Sequence, residues 1–216
     1  MGGVNSGTTQ LVDLRNDGKA VFKSDANYRS EAAAYNVAKV IGMDDLVPPT
    51  VLRKGADGLT QGSAQEFLES SKQIALFYGS VPMNDLVRSL AFDMLTGNVD
   101  RHAGNMLIDE TGKLRLIDHG SLFRENDSQG VAEDSWQSNE IRNAYNGGVN
   151  VDVTDVENAV SPKELGKLFS DRLPDIEREI KSAMIYVPDR WMKLEALPTI
   201  RILSNANSWR DVVGNG

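Results

Sequence analysis

The chain has no cysteine among its 216 residues, which rules out disulfides and thiolate metal sites alike. It has two histidines, too few for a zinc site of the usual kind. No apolar run reaches the roughly 18 residues of a membrane span, and no signal peptide heads the sequence. A cytoplasmic protein is therefore expected, whether in the cell that makes it or in a host cell to which it is delivered. Basic residues are outnumbered, 23 against 31, for a formal net charge of −8. Nucleic acid is thus not an expected partner, and an anionic membrane is disfavoured. Internal repeats and low-complexity tracts are missing as well.

What is present is an ordinary globular composition, 40% hydrophobic and 25% charged, in a chain long enough for one large domain or two small lobes. Thr9 to Leu14 alternates as a strand, Asn16-Asp17-Gly18 is a hairpin turn, and Ala20 to Lys23 returns as a second strand. Glu31 to Ile41 has helical periodicity and is closed by Gly42. Val47 to Arg53, a turn at Ala56-Asp57-Gly58, and Leu59 to Leu68 follow. That strand–strand–helix–strand–strand order predicts a small α+β lobe.

Glu69 to Gln73 reads as a connector, and Met83 to Leu95 as an amphipathic helix with Leu86, Leu90 and Met94 on one face. Residues 124–148 are polar, acidic in part and rich in Gly, Ser and Asn, the composition of a long mobile loop. Its acidic part, 125–139, reads either as a substrate-binding or regulatory loop or as a solvated one. From Ser161 onward the pattern is helical: Pro162 to Met184, Asp189 to Ala196, and Trp209 to Val213.

Between these parts lies GNVDRHAGNMLIDETGKLRLIDHGSLF, positions 97 to 123, which holds both histidines, His102 and His119. Met106-Leu107-Ile108 and Leu114-Arg115-Leu116-Ile117 flank Glu110-Thr111-Gly112 as a buried hairpin. Folding it back brings Asn105 at its entry near Asp118 at its exit. One neutral and one anionic oxygen, with room for phosphate and water, suit Mg²⁺, which takes few protein ligands. Asp100, five residues before Asn105, is placed to accept a proton from a hydroxyl nucleophile or to orient it. The same residues could each serve as turn caps; it is their combination that points to phosphoryl transfer.

Asp100-Arg101-His102-Ala103-Gly104-Asn105 and Ile117-Asp118-His119-Gly120, with Phe123 after them, resemble the catalytic and metal-binding loops of the protein-kinase-like superfamily. The likeness is to the branch of phosphatidylinositol 3- and 4-kinases, actin-fragmin kinase and HipA-type bacterial kinases. It implies a two-lobed α+β fold, with a β-rich N-lobe over 1–68 that binds nucleotide and a mainly helical C-lobe over 69–216. It also implies ATP and Mg²⁺ as cofactors, Asp100 as the catalytic aspartate, and Asn105 and Asp118 as metal ligands. His102 has two readings, a contact to the reacting hydroxyl or γ-phosphate, or a hydrogen bond that holds the loop. Arg101 is expected to pair with a carboxylate behind the loop, and His119 stands where many kinases have Phe.

In the first lobe, Gly2-Gly3-Val4-Asn5-Ser6-Gly7-Thr8 is the candidate phosphate cradle, with Gly3, Ser6, Gly7 and Thr8 offering amides and hydroxyls. The same stretch matches the myristoylation pattern at Gly2 and Ser6, the condition under which membrane contact is expected. Lys23 fits the lysine of the α- and β-phosphates, and Glu31, eight residues on, its ion-pair partner. Gln65-Glu66-Phe67-Leu68 stands at the hinge, with Glu66 and Phe67 contacting adenine. The resemblance implies a pared-down bacterial or phage-type kinase, with an effector role among its readings, acting on a protein Ser or Thr. Its alternatives are a phosphoinositide kinase, AMP transfer or glutamylation on the same fold, and a non-catalytic pseudokinase.

Overall fold

The computed structural model describes residues 9–14, 18–74, 81–123, 128–146, 153–184 and 191–214. The candidate cradle residues Gly3, Ser6, Gly7 and Thr8, the Gly2 lipidation pattern and most of the first hairpin turn lie outside them.

Four strands form the N-terminal sheet: β1 (Thr9–Asp13), β2 (Lys19–Lys23), β3 (Thr50–Lys54) and β4 (Gln61–Glu66). Their order is β1-β2-β4-β3, antiparallel throughout. Val21 pairs with Gln65 and Lys23 with Ser63, so strand alternation puts Val21, Lys23 and Gln65 on one face and Ala20, Phe22 and Ala64 on the other. β3 begins at Thr50, later than the Val47 expected, because Pro48 and Pro49 cannot donate to a ladder and Val47 is spent in the core. Helix α1 (Tyr28–Val40) buries Ala33, Ala34, Val37 and Ala38 as one stripe and packs on β3 and β4.

A second, three-stranded sheet is built from β5 (Lys72–Gln73), β6 (Met106–Ile108) and β7 (Leu114–Leu116) in that order. β5 occupies the stretch read as a plain connector; it takes the open edge of the predicted hairpin, pairing Lys72 with Ile108. Helix α2 (Met83–Thr96) leads into that hairpin and buries Leu86, Leu90 and Met94.

The expected loop over 124–148 is instead largely helical: α3 (Ser128–Asp134) and α4 (Trp136–Tyr145). Its apolar positions are few, yet Val131, Ala132, Ile141 and Ala144 are all buried. Polar residues fill the rest of the buried face because they find partners. Ser135 caps α4 by accepting the Ser138 N–H, and the Gln137 side chain reaches a carboxylate described below. Composition alone conceals such a helix, since hydrogen-bonded Gln and Ser count as polar wherever they sit.

The remaining elements are α5 (Val153–Glu157), α6 (Pro162–Ala183), a π-helical turn (Met192–Ala196), α7 (Leu197–Asn205) and α8 (Trp209–Val213). α6 starts with a Ser161–Glu164 capping box and Pro162 in its first turn. α7 was not legible as a separate helix in the sequence; it packs closely on α6 at Gly166, where a Cβ would meet the Ser204 backbone nitrogen at 2.9 Å. The fold is thus the expected mixed α+β, an antiparallel sheet followed by a helical C-terminal part.

One hydrophobic cluster runs from Ala33 in α1 to Val213 in α8, and α1 packs against α6. The Leu116 N–H donates to the Leu46 carbonyl at 2.7 Å, tying the hairpin to the segment after α1. α1 and the helical C-terminal part therefore share one core, which fixes the hairpin relative to α1. Among the described residues, no helix is long and apolar enough to cross a membrane.

α2 ends on Gly97 at φ +69°, and a Cβ there would lie 2.3 Å from the carboxylate of buried Glu195. Gly97→Ala is expected to destabilise the fold by about 2–5 kcal/mol, combining left-handed strain with overpacking. Urea denaturation of the variant measures it.

Candidate active site

α2 stops at Gly97, and the next five residues, in neither helix nor strand, lead to a 3₁₀ turn at Ala103–Asn105 before β6. Side chains hold this loop by its backbone. Asn98 Oδ1 accepts the Asp100 N–H at 3.1 Å, and Asn105 Nδ2 donates to the Asp100 carbonyl at 3.1 Å. The Asp100 carboxylate is left exposed. Asn98 itself is held by Asp93, whose Oδ1 accepts from Nδ2 at 3.0 Å. Arg101 turns inward and pairs with Asp93 through Nε at 2.9 Å and Nη2 at 3.1 Å.

The hairpin does return Asp118 to the neighbourhood of Asn105: the Ile117 N–H donates to the Asn105 carbonyl at 3.0 Å. Asp118 then leaves the strand at φ +59°, a left-handed conformation that Asp tolerates better than most residues. That turn swings its carboxylate toward β2, where Lys23 Nζ donates to Oδ1 at 3.0 Å. Lys23 Nζ also donates to Glu31 Oε1 at 2.6 Å, so the eight-residue spacing closes. The other Glu31 oxygen, Oε2, accepts the His119 N–H at 3.0 Å. One carboxylate on α1 thus holds the lysine with one oxygen and the backbone just after Asp118 with the other.

Burial opposes the charge of Lys23, but Glu31 and Asp118 outweigh it and hold its pKa above the ordinary value. Burial would likewise raise the Glu31 carboxyl; His119 and Lys23 outweigh it and hold it at about 2. The folded value lies below the ordinary 4.5, so this stabilisation is complete above pH 4.5 and is lost as pH falls toward 2. Glu31→Gln is expected to flatten the loss of stability between pH 4.5 and 2, read as urea midpoints across that range.

His119 is fully buried, edge-on to Phe92 with ring centroids 6.1 Å apart. Burial pushes its pKa down, while Glu31, whose Oε2 lies 3.6 Å from Nδ1, opposes that shift; the ring packs in the slot expected for Phe. His102 is exposed, and its Nδ1 accepts the Gly104 N–H at 3.1 Å. That bond puts the proton of a neutral imidazole on Nε2.

A cleft of about 460 Å³ opens between β2, the β4–β5 connection and the hairpin, lined by Val21, Lys23, Phe67, Leu107, Ile117 and Asp118 among others. Apolar walls with charged groups at the rim suit a small-molecule ligand. Glu66 lines it too, and its N–H is engaged by the Pro49 carbonyl at 2.8 Å, as the Phe67 N–H is by the Lys19 carbonyl at 3.1 Å. Those two amides are occupied by the sheet, so a hinge contact from this pair would use carbonyls or side chains. A larger concavity of about 1040 Å³ lies over the opposite sheet face, around Phe22 and Val51. None of Lys23, Asp100, Asn105 and Asp118 lines it, so the smaller cleft is the one joined to the charged groups.

Among the described residues no three His, Cys, Asp or Glu cluster as a metal site. A site of one amide and one carboxylate oxygen is not such a cluster, and its donors fit Mg²⁺ completed by phosphate and water. Asn105 Nδ2 is committed to the Asp100 carbonyl, so Oδ1 is the atom that could ligate a metal, and the Asp118 carboxylate is exposed. Sequence reasoning did not find Asp93, Asn98 or Gln137. The available signal was Asp93 itself, a carboxylate one position from Met94 on the apolar stripe of α2.

The pattern of the family described as phosphatidylinositol 3- and 4-kinase matches residues 9–135, more than half of the chain. Lys23, Glu31, Asp100, Asn105 and Asp118 all fall inside the match. Among solved structures, the Helicobacter pylori proinflammatory kinase CtkA is similar at 16% identity and TM-score 0.46, over 99% of this chain and 90% of that one. The N-terminal 618-residue fragment of LepB from Legionella pneumophila is similar at 15% identity and TM-score 0.41, over 81% of this chain. The match spans 33% of the LepB fragment. No curated protein matches the chain. The family match, over the residues whose geometry is given above, shows that the chain belongs to the phosphatidylinositol 3- and 4-kinase family, within the protein-kinase-like superfamily of phosphotransferases.

Proposed function

We propose that the chain transfers the γ-phosphoryl group of Mg·ATP to a hydroxyl, foremost that of a protein Ser or Thr. The observation that carries this reading is the unbroken chain Asp118–Lys23–Glu31–His119 N–H. It places a cation, shielded by two carboxylates, at the rim of a nucleotide-sized cleft.

In this reading adenine lies against Val21, Leu107 and Ile117, and Lys23 meets the phosphate oxygens. Asn105 Oδ1 and the Asp118 carboxylate would hold Mg²⁺, which would neutralise phosphate charge when bound. Asp100 orients the acceptor hydroxyl and takes its proton as the new O–P bond forms and the bond from Pγ to the bridging oxygen breaks. ADP leaves, and the proton passes from Asp100 to solvent. His102, with its hydrogen on Nε2, is a donor for a phosphate oxygen. A second reading, an inositol-lipid acceptor, is favoured by the family match; the net charge of −8 opposes work at an anionic surface.

The test incubates the protein with Mg²⁺ and either γ- or α-labelled ATP, beside Asp118→Ala, with protein acceptors and with phosphoinositide vesicles. Label from the γ position on protein, lost in the variant, is the expected result. Label on lipid selects the second reading, and label from the α position only overturns both in favour of AMP transfer.

A further inference from the structure

Asp93 lies in the last turn of α2 and its side chain has no exposed surface. Its carboxylate receives four N–H donors. Oδ2 takes Arg101 Nε at 2.9 Å and Gln137 Nε2 at 2.6 Å; Oδ1 takes Asn98 Nδ2 at 3.0 Å and Arg101 Nη2 at 3.1 Å. The paired Arg101 is 1% exposed and spends its remaining terminal nitrogen on the backbone. Nη1 donates to the Asn105 carbonyl at 2.9 Å and to the Ile117 carbonyl at 2.6 Å.

Those two carbonyls belong to one metal-ligand residue and to the residue just before the other. A single guanidinium therefore bridges the end of the catalytic loop and the start of the metal loop. A planar fork bound bidentately from behind cannot swivel, so it holds both carbonyls at a set separation. Gln137 brings α4 into the same unit. Its Oε1 finds no hydrogen-bond partner among the described residues, although the side chain is fully buried. An amide retained with one half unsatisfied calls for an explanation, and its bond to Asp93 provides one.

We propose that Asp93, Arg101 and Gln137 form a positioning unit that sets the Asn105–Asp118 separation, so that α4 tunes divalent-metal binding without touching the metal. This rests on the phosphotransferase reading above. Residues behind metal ligands typically govern affinity about 10- to 100-fold. Arg101→Lys keeps the charge and loses the fork; Gln137→Met removes an amide already half unsatisfied, at similar volume.

Mn²⁺ binding to the protein with ADP, read from the electron paramagnetic resonance of free Mn²⁺, tests the proposal. Stabilisation by ATP in EDTA is measured in parallel, as a readout that does not involve metal. Arg101→Lys is expected to weaken Mn²⁺ about tenfold or more and Gln137→Met by a smaller factor, with the metal-free ATP shift unchanged. Wild-type Mn²⁺ affinity retained in folded Gln137→Met and Arg101→Lys overturns the positioning role alone. Equal loss of the metal-free ATP shift overturns it too, since the unit would then serve general stability. If Arg101→Lys does not fold, Gln137→Met decides. No Mn²⁺ binding by the wild type overturns the phosphotransferase reading, and this inference with it.

Discussion

Asp118→Ala is expected to lower phosphoryl transfer by about a thousandfold or more while costing the fold only about 1–2 kcal/mol. Two separate facts produce the two halves of that expectation. The Asp118 side chain is 52% exposed, so its removal opens no cavity. It contributes the only anionic oxygen of the candidate metal pair, and Asn105 with one neutral oxygen is a poor site for a hard cation. Lys23 keeps Glu31 as its partner at 2.6 Å and so stays charged. The backbone at φ +59° is less comfortable for Ala than for Asp, which is expected to cost about 1–2 kcal/mol. Asp118→Asn separates the two effects, since Asn accepts the left-handed turn and lacks the charge. Initial rates with labelled ATP across a Mg²⁺ titration, beside thermal melts of all three proteins, check it. Activity within tenfold of wild type in both variants would remove Asp118 from the chemistry.

Asp100→Asn is expected to lower kcat by about 10²–10⁴ with the KM for Mg·ATP nearly unchanged. The structure makes this a clean substitution. The loop is held by the main chain of Asp100, through its N–H to Asn98 and its carbonyl to Asn105. Its carboxylate is exposed and free to act on an acceptor hydroxyl. Asn is close in shape, so the loop keeps its path and the nucleotide cleft, which Asp100 does not line, keeps its affinity. A raised KM with unchanged kcat would instead make Asp100 a nucleotide contact. Steady-state kinetics on the acceptor identified by the labelling experiment give the answer.

The parts of the fold that the chain announces locally are those with local causes. The 106–108 and 114–116 hairpin has a turn sequence between two apolar runs, and α2 has a full apolar stripe. α6 carries its own start signal in Ser161, Pro162 and Glu164. α3 and α4 were not legible because what stabilises them is remote. Gln137 is buried on account of Asp93, 44 positions earlier, and no window along the sequence contains both.

The candidate site divides the same way. Asp100, Asn105 and Asp118 stand within nineteen positions of one another, and a two-stranded hairpin brings its entry and exit together whatever surrounds it. Their residue types and order were therefore readable, as was the family resemblance that they carry. Lys23 and Glu31 were identified by order, but their meeting with Asp118 and His119 spans 95 and 88 positions respectively.

By itself the sequence determined the strands of the N-terminal sheet, α1, α2 and α6, the hairpin with its two loops, and the identity of the groups available for chemistry, but not β5, α3, α4 or α7. What it determined depends on backbone preferences and on spacings shorter than a few turns. Only the tertiary structure decided that Glu31 faces Lys23 and the His119 N–H at once, that Arg101 is pinned by Asp93, and that α4 reaches Asp93 behind the loop. Each of these is a buried polar contact between elements far apart in the chain, favourable only once the shared core has excluded water and brought the partners within hydrogen-bond distance.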